Sequence, residues 1–444
     1  MKKMMIMSIL LISTFVLFAC GDNNKSTTTL LLYARDFEDW SNEHLEDLIN
    51  EFNNTNEDGI EVDLRLYGEA TYMDALNVAR ENNKNPDLYM LTYADMFNHA
   101  RNGYIAQLDD VMPTGSFDGV FDEVEKMITY AGKIYAFPWL LEPGSMFYYR
   151  KDILAAAGVT GEIKTWDDLF DACSRVKPRL NLGQYTLGLP TGIALGWATW
   201  GMQYNTGGTL AVDDTWMINL VDSKSYEDLS KFFFTVYDNG YAPAAPLTPD
   251  GYPDVHEALC QDKLAMTFAG SWAIADFYQY YPEYVDKIGV SPIPTQSGDH
   301  SKATSTNGGW TYVVSDSSTK KDLASKFLEW MFLDDVERTA QYFIKAHNSK
   351  APTTQEVSDF LNTVDTGVNP DWVSVVNDVA SKAIPEPLYP WDITNEVLKL
   401  FQTMQVSSNE TNVFQTVYQP AIATAKANID TILSRTSHRP NPNS

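Results

Sequence analysis

The rhythm of apolar and polar positions changes repeatedly along the first hundred residues. Leu30 to Tyr33 is a short apolar run suited to a buried parallel strand. Leu45, Leu48, Ile49 and Phe52 then recur at helical spacing. Ile60, Val62, Leu64 and Leu66 alternate with polar neighbours, which is the period of a strand. Residues 71–82 read as a helix, and Asp87 to Leu91 as a third strand. This alternation predicts a parallel sheet with right-handed crossovers. Ligands of such sheets sit beyond the carboxyl ends of the strands. Those ends carry Arg35, Asp36 and Glu38, then Gly68 and Glu69, then Tyr93 and Asp95, so polar groups gather on one rim.

The second half repeats the style. Thr165-Trp166-Asp167-Asp168 has the spacing of a capping box, in which hydroxyl and carboxylate cover free amides. The helix it opens turns Trp166, Leu169, Phe170 and Cys173 inward. Gly188 to Leu195 begins like a strand and ends as a loop. Lys263 to Phe268 predicts another strand, running out at Gly270-Ser271-Trp272. Helices are expected around 319–333 and 412–434, the latter with Val417, Tyr418, Ile422, Ala425, Ile429 and Ile432 on one stripe. No short-period repeat interrupts this α/β pattern.

The amino terminus adds a location. Lys2 and Lys3 precede an apolar run from Met4 to Phe18, too short to span a bilayer comfortably, which ends in Leu17-Phe18-Ala19-Cys20. That ending resembles a bacterial lipobox. The resemblance implies a signal peptide over 1–19, lipidation of Cys20, a polar tether over 20–28, and an extracytoplasmic protein held to the membrane by lipid alone. Composition is globular at 444 residues, 44% hydrophobic and 13% aromatic. Without the two lysines of the leader, the formal charge falls from −27 to −29. Such a chain repels nucleic acid and anionic lipid. Cys173 and Cys260 lack CxxC spacing, which argues against zinc. Export permits a disulfide between them, but each also fits the apolar side of a helix, and two buried thiols are the preferred reading.

Several stretches, taken in order, resemble the family 1 extracellular solute-binding proteins, the group that includes maltose-binding protein. They are Asn85-Pro86-Asp87-Leu88, Gly103 to Asp110, Gly132-Lys133-Ile134-Tyr135-Ala136-Phe137-Pro138, and Tyr148 to Leu154 with Ala157-Gly158 and Thr165 to Leu169. Lys263-Leu264-Ala265-Met266, Gly270-Ser271-Trp272, and Gly308-Gly309-Trp310 ahead of Lys321 to Met331 complete the set. The resemblance implies two α/β lobes, each a mostly parallel sheet flanked by helices, with a ligand cleft between them. It assigns 29–138 plus 296–350 to an N-lobe and 143–292 plus 355–444 to a C-lobe. It further implies the substrate-binding subunit of an ABC importer, a monomer that closes about a hinge near Glu142 to Ser145, and no cofactor, metal or catalysis.

Eleven tryptophans suit a carbohydrate ligand, because sugar C–H faces stack on aromatic rings while hydroxyls seek directional acceptors. Trp139, Trp197, Trp200, Trp272, Trp310 and Trp391 fall in loops or at element ends, against packing as the plain alternative for each. Trp272 matches the family's cleft tryptophan. Trp391, with Tyr389, resembles its C-lobe aromatic. Trp197 and Trp200 stand where maltose-binding protein has a ligand-contacting Glu and Tyr. Asp36, Glu38, Glu69, Asp95 and Glu142 complete the candidate ligand set; Asp36 competes with a helix-cap or loop role. Trp166, Trp330 and Trp372 are expected in cores. Arg35 at the cleft would favour a sugar phosphate, but no second basic residue stands at an expected cleft position, and pairing of Arg35 with nearby acids is the preferred reading. A glycoside hydrolase would need an acid pair at defined separation, and the Tyr148-Tyr149 and Tyr280-Tyr281 pairs raise ferric iron as a further rival.

Overall fold

A computed structural model describes residues 27–190, 193–208, 211–212, 223–243, 254–387, 391–406 and 414–435. The opening alternation folds as its periods dictate. Strand β1 (Thr28–Arg35) leads to the helix Asp39–Thr55, β2 (Ile60–Tyr67) to the helix Glu69–Glu81, and β3 (Leu88–Thr92) to the helix Tyr93–Arg101. A small hairpin, β4 (Thr129–Tyr130) and β5 (Lys133–Ile134), precedes β6 (Phe137–Pro143). The other lobe holds β7 (Met146–Arg150), β8 (Tyr185–Gly188), β9 (Leu264–Ala269) and β10 (Ile288–Ser291). Strands β11 (Thr306–Val314) and β12 (Ile384–Pro385) return to the first.

The N-lobe sheet runs β12-β11-β3-β1-β2, with β6 also paired to β11. Strand β1 is parallel to both β2 and β3, while β11 is antiparallel to β3 and β6. The C-lobe sheet runs β10-β7-β9-β8, with one parallel pair, β8 with β9. Both sheets are thus mixed, because strands that re-enter a lobe from its partner arrive from the opposite direction.

Each lobe has its own core. Leu30, Leu32 and Ala34 of β1 are fully buried with Leu48, Ile49 and Phe52 of the following helix. Roughly 1.5–3 kcal/mol accompanies complete burial of each leucine, isoleucine or phenylalanine among them. Strand β7 sends Phe147 to one C-lobe core and Met146 and Tyr148 to the other, as a two-residue period requires. The capping box forms: Thr165 Oγ1 accepts from the Asp168 amide at 3.0 Å and the Asp168 carboxylate accepts from the Thr165 amide at 2.9 Å. Cys173 and Cys260 are free, buried thiols. Trp166 and Trp372 are core residues, whereas Trp330 is half-buried beneath the Arg338 guanidinium, 4.0 Å from its ring.

Two expectations require correction. The stretch Gly188 to Leu195, expected to end as a loop, runs instead into the helix Ile193–Asn205, which also holds Trp197 and Trp200 in its interior and not in a loop or at an element end. Its Leu195, Ala198, Trp200 and Met202 all enter a core, and a helix apolar on every side shows no amphipathic period. The segment expected to open the C-lobe at 355 begins with the helix Gln355–Leu361, whose Val357 packs into the N-lobe core; β12 also joins the N-lobe sheet. The chain therefore enters the C-lobe core at Trp372, returns at β12, and leaves again for the helices Trp391–Val406 and Gln419–Arg435.

Candidate ligand-binding cleft

Two chain crossings lie side by side between the lobes. The Gly144 amide donates to the Thr306 carbonyl at 2.9 Å, and the Ser145 amide to Ser305 Oγ at 2.9 Å. The first crossing is further tied to Ser271, whose amide donates to the Pro143 carbonyl at 2.9 Å. A side chain at Gly144 would meet the Trp197 Cβ at 3.3 Å, so glycine serves close approach there.

The carboxyl ends of the N-lobe strands furnish one wall. Arg35, the last residue of β1, lies over Phe37 with its guanidinium carbon 4.7 Å from the ring centroid, and 5.4 Å from that of Trp310. Phe37 and Trp310 meet edge to face at 5.1 Å. Asn42 fixes this loop: its amide donates to Asp36 at 2.6 Å and its carbonyl accepts from the Phe37 amide at 3.0 Å. Asp36 is itself exposed. Glu38 caps the first helix without a side-chain bond and lies near enough to Lys350 to favour its charge. Burial pushes Lys350 down to about 8, and it is ion-paired with Glu142 of the first crossing. Glu142 is therefore engaged by a cation rather than open.

Deeper in the cleft lie two acids. Asp95 accepts from Thr92 Oγ1 at 2.8 Å in the first turn of its helix, and burial holds its carboxyl above the usual range. Glu386, just after β12, lies over Gly308 so closely that a Cβ there would come within 2.4 Å of Oε1. Burial and the neighbouring Asp95 push Glu386 up to about 7, while a hydrogen bond from Trp197 opposes the shift. That bond joins the lobes, since Trp197 belongs to the C-lobe helix Ile193–Asn205. Trp197 meets Trp272 edge to face at 5.7 Å, and both rings are partly exposed.

The structure thus brings together Glu38, Asp95, Glu142, Trp197, Trp272 and Trp310 around the crossings. Trp139 lies instead in the N-lobe core, 6% exposed, supporting Phe37 and Tyr342 from behind. Trp200, 4% exposed, lies in the C-lobe core against the helix Trp391–Val406, through Gly196 and Leu398. Cys20 and Tyr389 lie outside the described residues, as do the side chains of Glu69 and Trp391. Phe37, Lys350 and Glu386 escaped the sequence reading. Glu386 had a local cue, since prolines on both sides hold an acid in extended chain, but nothing local places it opposite Asp95. Of the tyrosine pairs, Tyr148 is buried and donates to the Gly270 carbonyl at 2.8 Å; among the described residues no cluster of His, Cys, Asp and Glu is built for a metal.

Two α/β lobes joined by hydrogen-bonded crossings, with indoles and acids facing each other between them, define the class of two-lobed binding proteins. Residues 40–338 match the bacterial extracellular solute-binding protein family, and the chain belongs to it. A probable ABC transporter-binding protein of Deinococcus radiodurans is 24% identical over 296 residues, 64% of this chain and 66% of that protein. A probable amino-acid ABC transporter periplasmic-binding protein of Sinorhizobium fredii is 24% identical over 198 residues, 44% of this chain and 43% of its own. The chain thus spans just under two thirds of the first relative and less than half of the second. The GacH receptor of Streptomyces glaucescens, solved unliganded and with acarbose, superposes with a TM-score of 0.73 at 20% identity over 92% of this chain and 99% of its own. Maltose-bound MalE3 of Thermotoga maritima gives 0.75 at 18% identity over 91% and 100%. At these identities the likeness is one of fold. No described helix is long and apolar enough to cross a membrane.

Proposed function

We propose that the chain is the substrate-binding subunit of an ABC importer and captures a carbohydrate, mono- or oligosaccharide, by closing its lobes. The observation that carries this reading is the pairing across the cleft of half-exposed indoles, Trp197 and Trp272 on one lobe and Trp310 on the other, with the carboxyls Asp95 and Glu386. Indole faces match the C–H faces of sugars, and carboxyl oxygens accept from their hydroxyls. Solved structures of the same fold hold acarbose, tagatose and maltose.

Ligand that touches both lobes favours the closed form, and permease subunits would read that form. Glu38 and Glu142, with Lys350 holding the latter, would orient ligand hydroxyls, and Trp391 and Tyr389 would add a C-lobe platform. Cys20 would carry the lipid anchor of an otherwise monomeric, extracytoplasmic protein. The ligand leaves unaltered, as in a transport protein. Arg35 is engaged by two aromatic rings and Lys350 by Glu142, which disfavours a sugar phosphate.

Thermal unfolding of the mature protein against mono- and oligosaccharides, sugar phosphates and amino acids tests this. Ligand at a hundredfold excess over Kd stabilises by about 2.7 kcal/mol. A shift with one sugar class supports the reading. A shift with amino acids alone, or steady release of a hydrolysis product, overturns it.

A further inference from the structure

The charges in the cleft are unevenly compensated. Both cations of the N-lobe wall are engaged, Lys350 by Glu142 and Arg35 by the Phe37 and Trp310 rings. Glu386, lying over Gly308 of β11, is near enough to Asp95, in the first turn of the helix after β3, to feel its charge, and neither acid has such help. Among the described residues neither forms an ion pair, and their hydrogen bonds come from neutral groups, Thr92 and Trp197. Two desolvated carboxyls that repel each other favour a cation between them.

Two further groups are independent of the acids. Thr306 is fully buried, yet its hydroxyl has no hydrogen-bond partner. It is two residues from Gly308 on β11, so it shares the face over which Glu386 lies, and it comes to the same Gly144 position as Trp197. Unsatisfied buried polar atoms are rare and call for an explanation. A hydroxyl oxygen on the strand face over which Glu386 lies adds a third acceptor to the two carboxyls, which matches the three donors of an ammonium. The second group is Trp272 Nε1, a buried donor with no partner, on the ring that meets Trp197. It offers its proton to an uncharged acceptor such as a hydroxyl oxygen. Indole faces also attract cations.

We infer that Asp95, Glu386 and Thr306 form a subsite for a protonated amine on the ligand, so that the carbohydrate captured is an amino sugar. The inference rests on the carbohydrate reading above and narrows it. The amine donates to the two carboxylates and the Thr306 hydroxyl, while a neighbouring ring hydroxyl accepts from Trp272 Nε1. N-acetylation removes the charge and two donors, leaving the acid pair uncompensated.

The test is calorimetric titration of the mature protein near neutral pH with matched probes: glucosamine, N-acetylglucosamine and glucose, and the corresponding β-1,4 disaccharides. The free-amine member should bind about tenfold or more tightly than its neutral partners, the scale of a hydrogen bond to a charged group. Glu386→Gln and Asp95→Asn, each checked for a native circular dichroism spectrum and a cooperative unfolding transition, should collapse that ratio towards one. Equal affinity for amine and neutral partners overturns the inference and leaves the carbohydrate reading standing. An amine preference that survives both substitutions overturns the assignment to this acid pair. Binding of none of these probes, where the wider thermal panel shifts with an uncharged sugar, overturns the inference alone; a panel shift with amino acids alone overturns the carbohydrate reading and the inference together.

Discussion

Removing the carboxylate of Glu142 while keeping its shape, as Glu142→Gln, would strand Lys350. The Lys350 side chain is 7% exposed and that of Glu142 14%, so water does little to screen the pair. Breaking a buried pair from one side costs about 3–5 kcal/mol, because an uncompensated charge remains. Glu38 still supports the ammonium, which places the expected loss near the lower end, about 3 kcal/mol. The sign of the pH dependence follows from burial. Burial already sets Lys350 at about 8, below an unfolded lysine at about 10.4. Loss of Glu142 lowers it further. A lysine depressed on folding destabilises fully below its folded pKa and regains stability as pH rises towards the unfolded value. The variant's deficit should therefore shrink between neutral pH and about pH 9. Lys350→Met should also destabilise, and Glu142→Gln with Lys350→Met should cost clearly less than the two single changes added. Urea denaturation at both pH values reads all of this. A Glu142→Gln loss under about 1 kcal/mol with no narrowing at higher pH, as an exposed pair would give, would refute the argument.

Trp272→Ala should weaken binding of the sugar identified by thermal shift while leaving the circular dichroism spectrum unchanged; unaltered affinity would remove Trp272 from the site. Gly309→Ala should lower stability by about 2 kcal/mol or more, read from the urea midpoint, because Gly309 sits at φ +133° and a Cβ there would lie 2.1 Å from the Leu140 carbonyl oxygen. Glu386 keeps its proton in the folded protein up to about 7, whereas the unfolded chain releases it near about 4.3. Stability conferred by that proton falls as pH rises through this window, and Glu386→Gln should flatten the slope in ligand-free protein. Cys173 and Cys260 should react with a thiol reagent only after denaturation, since burial pushes both thiols up to about 12 and neither is bonded to the other.

Much of the N-lobe was legible because its elements are half-buried and alternate regularly. Leu45, Leu48, Ile49 and Phe52 give their helix away by spacing, and β2 by its alternation. Thr165 and Asp168 act within four residues of each other, so their cap needed no tertiary information. The helix Ile193–Asn205 failed the same reading for the opposite reason. Its surroundings are apolar on nearly every side, and period vanishes where burial is complete.

The residues facing the cleft follow the same division. Sequence by itself determined which strand ends would carry polar groups, because backbone direction and side-chain period are local properties. It misplaced most of the candidate tryptophans: Trp139 and Trp310 lie inside β6 and β11, and Trp197 and Trp200 inside the helix Ile193–Asn205, while Trp272 and Trp391 do stand at helix starts. It could not tell Trp139 and Trp200, which fill cores, from Trp272 and Trp310, which stay partly exposed between the lobes, since exposure depends on what packs across each element and not on its own spacing. Nor could it pair Lys350 with Glu142, 208 residues away, or set Glu386 against Asp95 and Trp197. Those meetings depend on the chain crossing repeatedly between lobes, and the register in which β11 lies between β3, β6 and β12 decides them. Long-range pairing of this kind is fixed by the packing of two whole sheets, a free energy that no short stretch of sequence contains.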